Sequence, residues 1–354
     1  RLTVPRLLVG NFSFGEELPG HRQILPYRLR RLESDLATCW DALAHERDLI
    51  WSPAVPDDRF QFRAGVVTDQ EDIPPGLELT PWGWTDRLRH WGRQINAVVT
   101  APQPEAVRTA NSRLFAADRE SRWRCGLEGT TLVSSLTELA ARLDAIDSRT
   151  PWIVRTEFSG SARERLLAAG RNLTPPQRGW LQKRFAHNKP LIWEPWVERI
   201  TEVSLHWTIP SHATPRFDGL TGLVTDTLGR YRGSLFGTAA PPLEEWSEAL
   251  DLTGRLAAEL QQLGYFGPLG VDALRYRDLA GNIRVRPLQD VNARWTMGRL
   301  SLGWIQRVPG GLWRHGTPQE LQQAEIDGRV LHRTSPERIG NQQVKHSTWI
   351  EPPA

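Results

Sequence analysis

The residues best suited to chemistry lie in two stretches: Gly270-Val271-Asp272-Ala273-Leu274-Arg275-Tyr276, and Ile283-Arg284-Val285-Arg286-Pro287-Leu288-Gln289-Asp290-Val291-Asn292-Ala293-Arg294. The link between them, Arg277 to Asn282, holds Asp278, Gly281 and Asn282, which is turn chemistry, so the two stretches read as a β-hairpin. Asp272 and Asp290 are placed symmetrically about Gly281, and in a regular antiparallel pair their Cβ atoms would stand roughly 5 Å apart. Asp290, Asn292 and Arg294 alternate along one strand and share a face. Two carboxylates that close repel unless a cation sits between them. Hard oxygen ligands suit magnesium, which completes its shell with water and substrate phosphates. Arg294 is then placed to stabilise charge developing on a phosphate or an acyl group. The plainer alternative is a surface hairpin with paired charges, and Pro287 speaks against a regular central strand.

Four further features are weaker alone. Val154-Arg155-Thr156 precedes the small-residue run Phe158-Ser159-Gly160-Ser161-Ala162-Arg163, where backbone N–H groups could approach phosphate oxygens at the start of a helix. The bland alternative is a turn. Trp193-Glu194-Pro195-Trp196-Val197-Glu198 is an apolar strand ending in a carboxylate and an aromatic. It could wall an adenine slot, with Glu202 holding ribose hydroxyls; a strand followed by a solvated loop is the alternative. Arg230 and Arg232, in Gly229-Arg230-Tyr231-Arg232-Gly233, are expected to help bind an anionic substrate, against the simpler account of two exposed arginines. His206, between Leu205 and Trp207 on a strand, could face a pocket, although a structural or exposed histidine explains it as well.

The elements that must position these residues follow from periodicity. Leu7 to Asn11 reads as a buried strand, Phe12 to Glu17 as a turn into a helix, residues 28 to 47 as an amphipathic helix and Asp48 to Trp51 as a second strand. That order predicts an α/β lobe with parallel pairing. Residues 72 to 85, rich in Pro and Gly, read as a surface connection. Helices are expected at 84 to 97, 104 to 119 and 132 to 143, then a strand at Pro151 to Arg155, a helical pair over 163 to 187 and a strand at Leu191 to Glu194. Glu202 to Ile209 and Gly222 to Thr227 alternate as strands. A long helix over 243 to 263 ends at Gly264, and strands and a helical tail complete the chain. The expected architecture is an N-terminal α/β lobe (1–104), a small α+β lobe (105–198) and a C-terminal antiparallel lobe with the metal site and a helical tail (199–354).

Composition narrows the class. The 354 residues, 39% hydrophobic, suffice for two or three packed lobes. No run reaches the roughly 18 apolar residues of a membrane helix. No apolar stretch ending in a small-residue cleavage site marks a secretory signal, although the chain does not begin with Met. Two cysteines without a C-x-x-C pair fit a reducing cytoplasm. The 44 basic and 41 acidic residues are interleaved, which reads as a solvated surface and not a nucleic-acid stripe. Sixteen Trp against four Tyr and one Met is unusual, and composition cannot divide core rings from pocket walls.

Taken in order, the three nucleotide features resemble the ATP-grasp superfamily over about residues 104 to 300. Asp290-Val291-Asn292-Ala293-Arg294 is similar to the acidic-x-Asn-x-Arg signature of biotin carboxylases and their relatives. Gly264 to Asp272, with Asn292 to Gly298, resembles a bacterial branch of that superfamily. The resemblance implies an ATP-grasp fold that clamps ATP between its last two lobes. It implies magnesium, or manganese in its place, on Asp272, Asp290 and Asn292. Adenine would lie at Glu194, Trp196 and Val197, partly through backbone groups, with ribose at Glu202. Ser159, Gly160 and Ser161 would form the flexible loop over the phosphates, and Arg155 and Arg113 stand where phosphate-binding lysines are usual. Arginine keeps the charge but not the shape of lysine. Asp290 stands where Glu is usual, and Gly270 where some dipeptide-type ligases carry Arg.

The implied reaction is carboxylate–amine ligation: γ-phosphoryl transfer to a carboxylate, then displacement of phosphate from the acylphosphate by an amine. Positioning and charge neutralisation suffice, with no protein nucleophile. The partners are small-molecule or peptide carboxylates and amines, with no nucleic acid and no membrane. A homodimer is possible; the sequence does not fix the oligomeric state. A non-catalytic nucleotide-binding pseudoenzyme and an ATP-dependent phosphotransferase are the alternatives.

Overall fold

A computed structural model of the chain describes residues 4–20, 26–57, 60–147, 149–158, 164–278 and 280–353. Short apolar runs build the first sheet. β1 (Arg6–Val9), β2 (Leu49–Trp51), β3 (Gly65–Val67) and β4 (Glu78–Pro81) pair in parallel, in the order β3-β2-β1-β4. Parallel neighbours need a crossover. Between β1 and β2 it contains α1 (Phe14–Glu17) and α2 (Tyr27–Leu36). The helix expected through residue 47 instead tightens into a 3-10 turn over Ala37–Ala42, every residue of which is buried. Trp40 packs there with no exposure, and Asp41 accepts from Arg63 N–H and Arg307, so all-round packing overrides the amphipathic spacing. α3 (Asp86–Gln94) starts at Thr85, whose hydroxyl accepts from Leu88 N–H.

The single helix expected over 104 to 119 is two, α4 (Pro104–Ala110) and α5 (Arg113–Trp123). Ser112 caps α5 by accepting from Phe115 N–H. The Asn111 amide docks on the backbone of Ala293, donating to its carbonyl at 3.2 Å and accepting from its N–H at 3.0 Å. The break therefore ties the connection between lobes to the strand end that carries Asn292 and Arg294.

The second sheet is antiparallel, in the order β5-β8-β6-β7, from β5 (Thr131–Val133), β6 (Pro151–Arg155), β7 (Arg165–Ala169) and β8 (Leu191–Pro195). α6 (Leu136–Asp144) and α7 (Pro175–Phe185) cover it, burying Leu139, Leu143 and Leu181 against Trp152 and Trp193. Two expectations fail here. The helix expected from Leu132 starts only after β5, at the Ser135 cap, and the first member of the expected helical pair is the strand β7. Arg165-Leu-Leu-Ala-Ala is a good helix former, but pairing with all five residues of β6 overrides propensity.

The third sheet has eight strands in the order β13-β12-β9-β10-β11-β14-β18-β15, each pairing antiparallel. Its strands are β9 (Glu198–Ile209), β10 (Arg216–Thr225), β11 (Tyr231–Gly237), β12 (Gly267–Arg277), β13 (Ile283–Asn292), β14 (Gly310–Gly316), β15 (His332–Arg333) and β18 (Ser347–Glu351). β16 (Arg338–Ile339) and β17 (Gln342–Gln343) pair apart from it. α8 (Ser247–Gln262) packs on this sheet and ends before Gly264, whose φ of +87° turns the chain into β12. α9 (Met297–Ser301) follows β13. The expected helical tail is mostly strand: α10 (Pro318–Ile326) is the one α-helix described after residue 310, and β18 completes a ladder with β14. Trp40, Trp152, Trp193, Trp246, Trp313 and Trp349 are fully buried, so much of the tryptophan content is core.

Candidate functional site

The hairpin forms, with a register its spacing does not reveal. Near the turn, Arg277 pairs Ile283, Tyr276 pairs Arg284, Arg275 pairs Val285 and Leu274 pairs Arg286. Continued regularly, that ladder would set Asp272 opposite Leu288. Between Leu274 and Asp272, however, β12 contains one residue, Ala273, and β13 contains three, Pro287, Leu288 and Gln289. The bulge moves the register so that Asp272 faces Asp290 and Gly270 faces Asn292. β13 is the outer strand of its sheet, and a bulged outer strand tolerates the proline. On its other side Asp272 faces Ser204 of β9.

A cavity of about 520 Å³ opens over this point. Of the residues singled out from the sequence, Arg113, Arg155, Glu194, Trp196, Val197, Glu202, Arg230, Asp272, Asp290, Asn292 and Arg294 line it. Ser159, Gly160 and Ser161 lie outside the described residues. Arg232 does not line the cavity: strand alternation puts Tyr231 on the cavity side, while Arg232 ion-pairs with Glu320 of α10. His206 is also outside it, unexposed, with Nε2 against Thr221 Oγ1 at 2.9 Å. Burial holds its ring neutral, with a pKa well below the ordinary histidine value.

The two carboxylates divide sharply. Burial and the facing Asp290 push the Asp272 carboxyl up to about 7. Burial opposes ionisation of Asp290 too, but Arg113, Arg155 and Arg294 outweigh it and hold the carboxyl below its ordinary value. Arg113 donates to Asp290 Oδ1 at 3.1 Å. Arg294 donates to Asn292 Oδ1 at 2.6 Å, while Asn292 Nδ2 stands 3.5 Å from Asp272 Oδ2. No set of three or more His, Cys, Asp or Glu comes together to hold a metal among the described residues. The available donor set is two carboxylates and one amide oxygen, which fits a hard ion that also draws on phosphates and water. Asn292 joins that set if its amide turns its oxygen from Arg294 toward the carboxylates.

Glu194 is not free to hold a base. Arg155 Nη2 donates to both its oxygens at 2.8 and 2.7 Å, and Arg286 donates to Oε1. Burial alone would raise this carboxyl; the two guanidinium groups bring it down to about 2. Arg286 also grips Glu120 of α5 at 2.6 and 2.7 Å, so a buried chain Arg155–Glu194–Arg286–Glu120 links the second sheet, the third sheet and α5. Glu202 accepts from Arg199 Nε at 2.9 Å, from Thr225 Oγ1 at 2.8 Å and from Gln289 Nε2 at 3.2 Å. Trp196 commits its N–H to Pro151 O at 2.9 Å, so that backbone donor is unavailable to a base, while its indole faces Arg199 at 5.1 Å. Gly229 brings the turn beside it: its φ is +69°, and a Cβ there would stand 3.1 Å from the indole.

Sequence reasoning missed Glu120, Arg199, Arg286, Tyr231 and His315. Arg286, next to Pro287 within the hairpin, offered the one usable signal, as a charge expected on a half-buried strand. Glu120 lies 166 residues away from its partner and offered none.

No protein-family model matches the sequence, and no curated protein does. Solved structures do match. N5-carboxyaminoimidazole synthetase from Staphylococcus aureus aligns with a TM-score of 0.57 at 12% identity, covering 98% of this chain and 93% of that one. A pyruvate carboxylase from Rhizobium etli aligns with a TM-score of 0.60 at 9% identity, covering 99% of this chain and 36% of that one. A protein from Archaeoglobus fulgidus assigned to the ATP-grasp superfamily aligns over 99% of this chain and 100% of its own, with a TM-score of 0.52 at 10% identity. The chain has the ATP-grasp fold. The cavity is lined by β8 from the second sheet and by the β12–β13 hairpin from the third. No helix among the described residues is long and apolar enough to cross a membrane.

Proposed function

We propose that the chain is an ATP- and magnesium-dependent ligase that activates a carboxylate as an acylphosphate for attack by an amine. The observation that carries this is the pair Asp272 and Asp290, set face to face by the bulge at one wall of an arginine-lined cleft. Asp272, Asp290 and Asn292 would hold the magnesium, which when bound neutralises charge on the ATP phosphates. Arg113 and Arg155 would exchange their present carboxylate partners for phosphate oxygens. Trp196 and Val197 would flank the adenine and Glu202 would meet the ribose. Arg294 would steady the substrate carboxylate and the charge that develops on it. One S. aureus synthetase structure contains ADP, and a related enzyme from Aspergillus clavatus contains ATP, which supports a nucleotide site in this fold.

One observation favours the pseudoenzyme. Both arginines at expected lysine positions pair with acids of the site, Arg113 with Asp290 and Arg155 with Glu194. Thermal melts with ATP and magnesium, with ATP and chelator, and with AMP test nucleotide binding; ligand at a hundredfold over Kd adds about 2.7 kcal/mol. A shift that needs both ATP and magnesium, and shrinks in Asp290→Ala and Asn292→Ala, supports the site. ADP release that requires both a carboxylate and an amine, with an amide product, then distinguishes the ligase from a pseudoenzyme and from a phosphotransferase.

A further inference from the structure

The cavity is not uniform. Its seven lining arginines among the described residues surround Glu194, Glu202, Asp272 and Asp290. The N-terminal lobe contributes instead Phe12, Gly15, Leu32, Leu36 and Trp82, none of them charged. Leu32 and Leu36 stand one turn apart on α2 and share a face. Asp35, beside them, is 1% exposed and is engaged by Arg31 at 2.9 Å, by Lys345 N–H at 2.8 Å and by Nδ1 of His346, which also lines the cavity, at 3.5 Å. Trp82 packs on Phe12 at 4.6 Å and lies under the Arg294 guanidinium at 5.9 Å. Tyr231 meets His315 at a tilt, 5.2 Å between ring centres, and His315 lies edge-on to Trp313 at 4.4 Å. His315 lines the cavity, while its Nε2 is closed off from it and has no hydrogen-bond partner among the described residues. Burial and the neighbouring His346 bring its pKa down to about 3, so the ring is neutral.

We propose that the carboxylate substrate has an uncharged apolar body, seated against Phe12, Leu32, Leu36 and Trp82, with its carboxylate toward Arg294. The inference rests on the ligase reading. It disfavours a phosphorylated body at this end: a phosphate brings about −1.5 to −2 charges, and Phe12, Leu32, Leu36 and Trp82 carry no charge to pair with them once Arg294 meets the carboxylate.

Binding to the full chain, with a non-hydrolysable ATP analogue and magnesium present, is measured by calorimetry for phenylacetate and hexanoate against succinate and ribose 5-phosphate. Either apolar acid should bind at least about tenfold more tightly than both charged probes, and Leu32→Asp should abolish that preference. Leu32→Gln serves as a second, milder variant that adds no charge and should weaken phenylacetate and hexanoate while leaving succinate unchanged. Equal or tighter binding of the charged probes, no saturable binding of either apolar acid, or a preference unmoved by Leu32→Asp would each overturn the inference while leaving the ligase reading standing if ATP and magnesium still stabilise the chain. Absence of that nucleotide shift would instead remove the ligase reading, and the inference with it.

Discussion

Asp272 and Asp290 face each other because β13 contains three residues where β12 contains one. Without the bulge, Asp290 would lie two positions out of register, and the pair would not share a site. The bulge is thus a positioning device, and Pro287 within it keeps the outer strand from closing into a regular ladder. Its cost is electrostatic. One carboxyl of the pair, Asp272, is pushed up to about 7 by burial and by its neighbour.

That cost sets a pH dependence. An unfolded Asp titrates near 4, while folded Asp272 keeps its proton to about 7, so between those values the folded state binds more protons. Stability should therefore fall as pH rises through that window, by up to roughly 4 kcal/mol, and then level off. Asp272→Asn should remove the slope, leaving the variant more stable than wild type at about pH 8 and similar at about pH 4. Magnesium with ATP should stabilise wild type at about pH 8 more than the variant. Urea unfolding at both pH values, in chelator and in magnesium, measures this; parallel curves for wild type and variant would contradict it.

The sequence made this pair legible for a reason that does not operate. Symmetry about Gly281 placed Asp272 opposite Asp290, but the ladder near the turn centres one residue earlier, and the bulge supplies the difference. Strands and loops with strong turn chemistry were readable, as at Asp278, whose carboxylate accepts from Ala280 and Asn282 N–H. The β7 strand was not, because five helix-favouring residues are held extended by partners on β6. The Arg286–Glu120 pair was not, because nothing local to either residue encodes a contact across 166 positions. Glu194 was placed at the cleft, but its ion pairs were not readable, since its partners come from two different sheets.

The buried ionic chain gives a second prediction. Arg286→Met leaves Glu120 and Glu194 facing each other with one guanidinium fewer. Breaking a buried pair by removing one partner costs about 3 to 5 kcal/mol. The double variant Arg286→Met with Glu120→Met removes one of the stranded charges and should recover part of that loss. Chemical denaturation of the three proteins decides it. A single-variant loss below about 1 kcal/mol would show that water or a shifted neighbour satisfies the carboxylates.

The arginines at expected lysine positions are weak evidence of degeneracy, because only three of the chain's 44 basic residues are lysine. Exchange of Lys for Arg is general here. If Arg155 binds phosphate, Arg155→Lys should hold the ATP dissociation constant within about tenfold, and Arg155→Met should raise it by about a hundredfold or more. Isothermal titration with ATP and magnesium reads both. Equal affinity of wild type and Arg155→Met would mean that Arg155 serves only to neutralise Glu194.

Arg230 and Arg232 are two residues apart and should behave differently. Arg230 lines the cavity, 62% exposed at its side chain and 3.9 Å from Asp226, so it can turn to an anionic ligand at little cost. Arg232 points to the other face, where it pairs with Glu320 of α10. Arg230→Ala should raise the KM for an anionic substrate by about threefold to thirtyfold, the range of one charge-assisted contact at a partly solvated site. Arg232→Ala should leave KM unchanged and lower stability by less than about 1 kcal/mol, as expected for an exposed ion pair. A rise in KM from Arg232→Ala, with none from Arg230→Ala, would place the substrate on the opposite face of β11 and move the acceptor site out of the cleft.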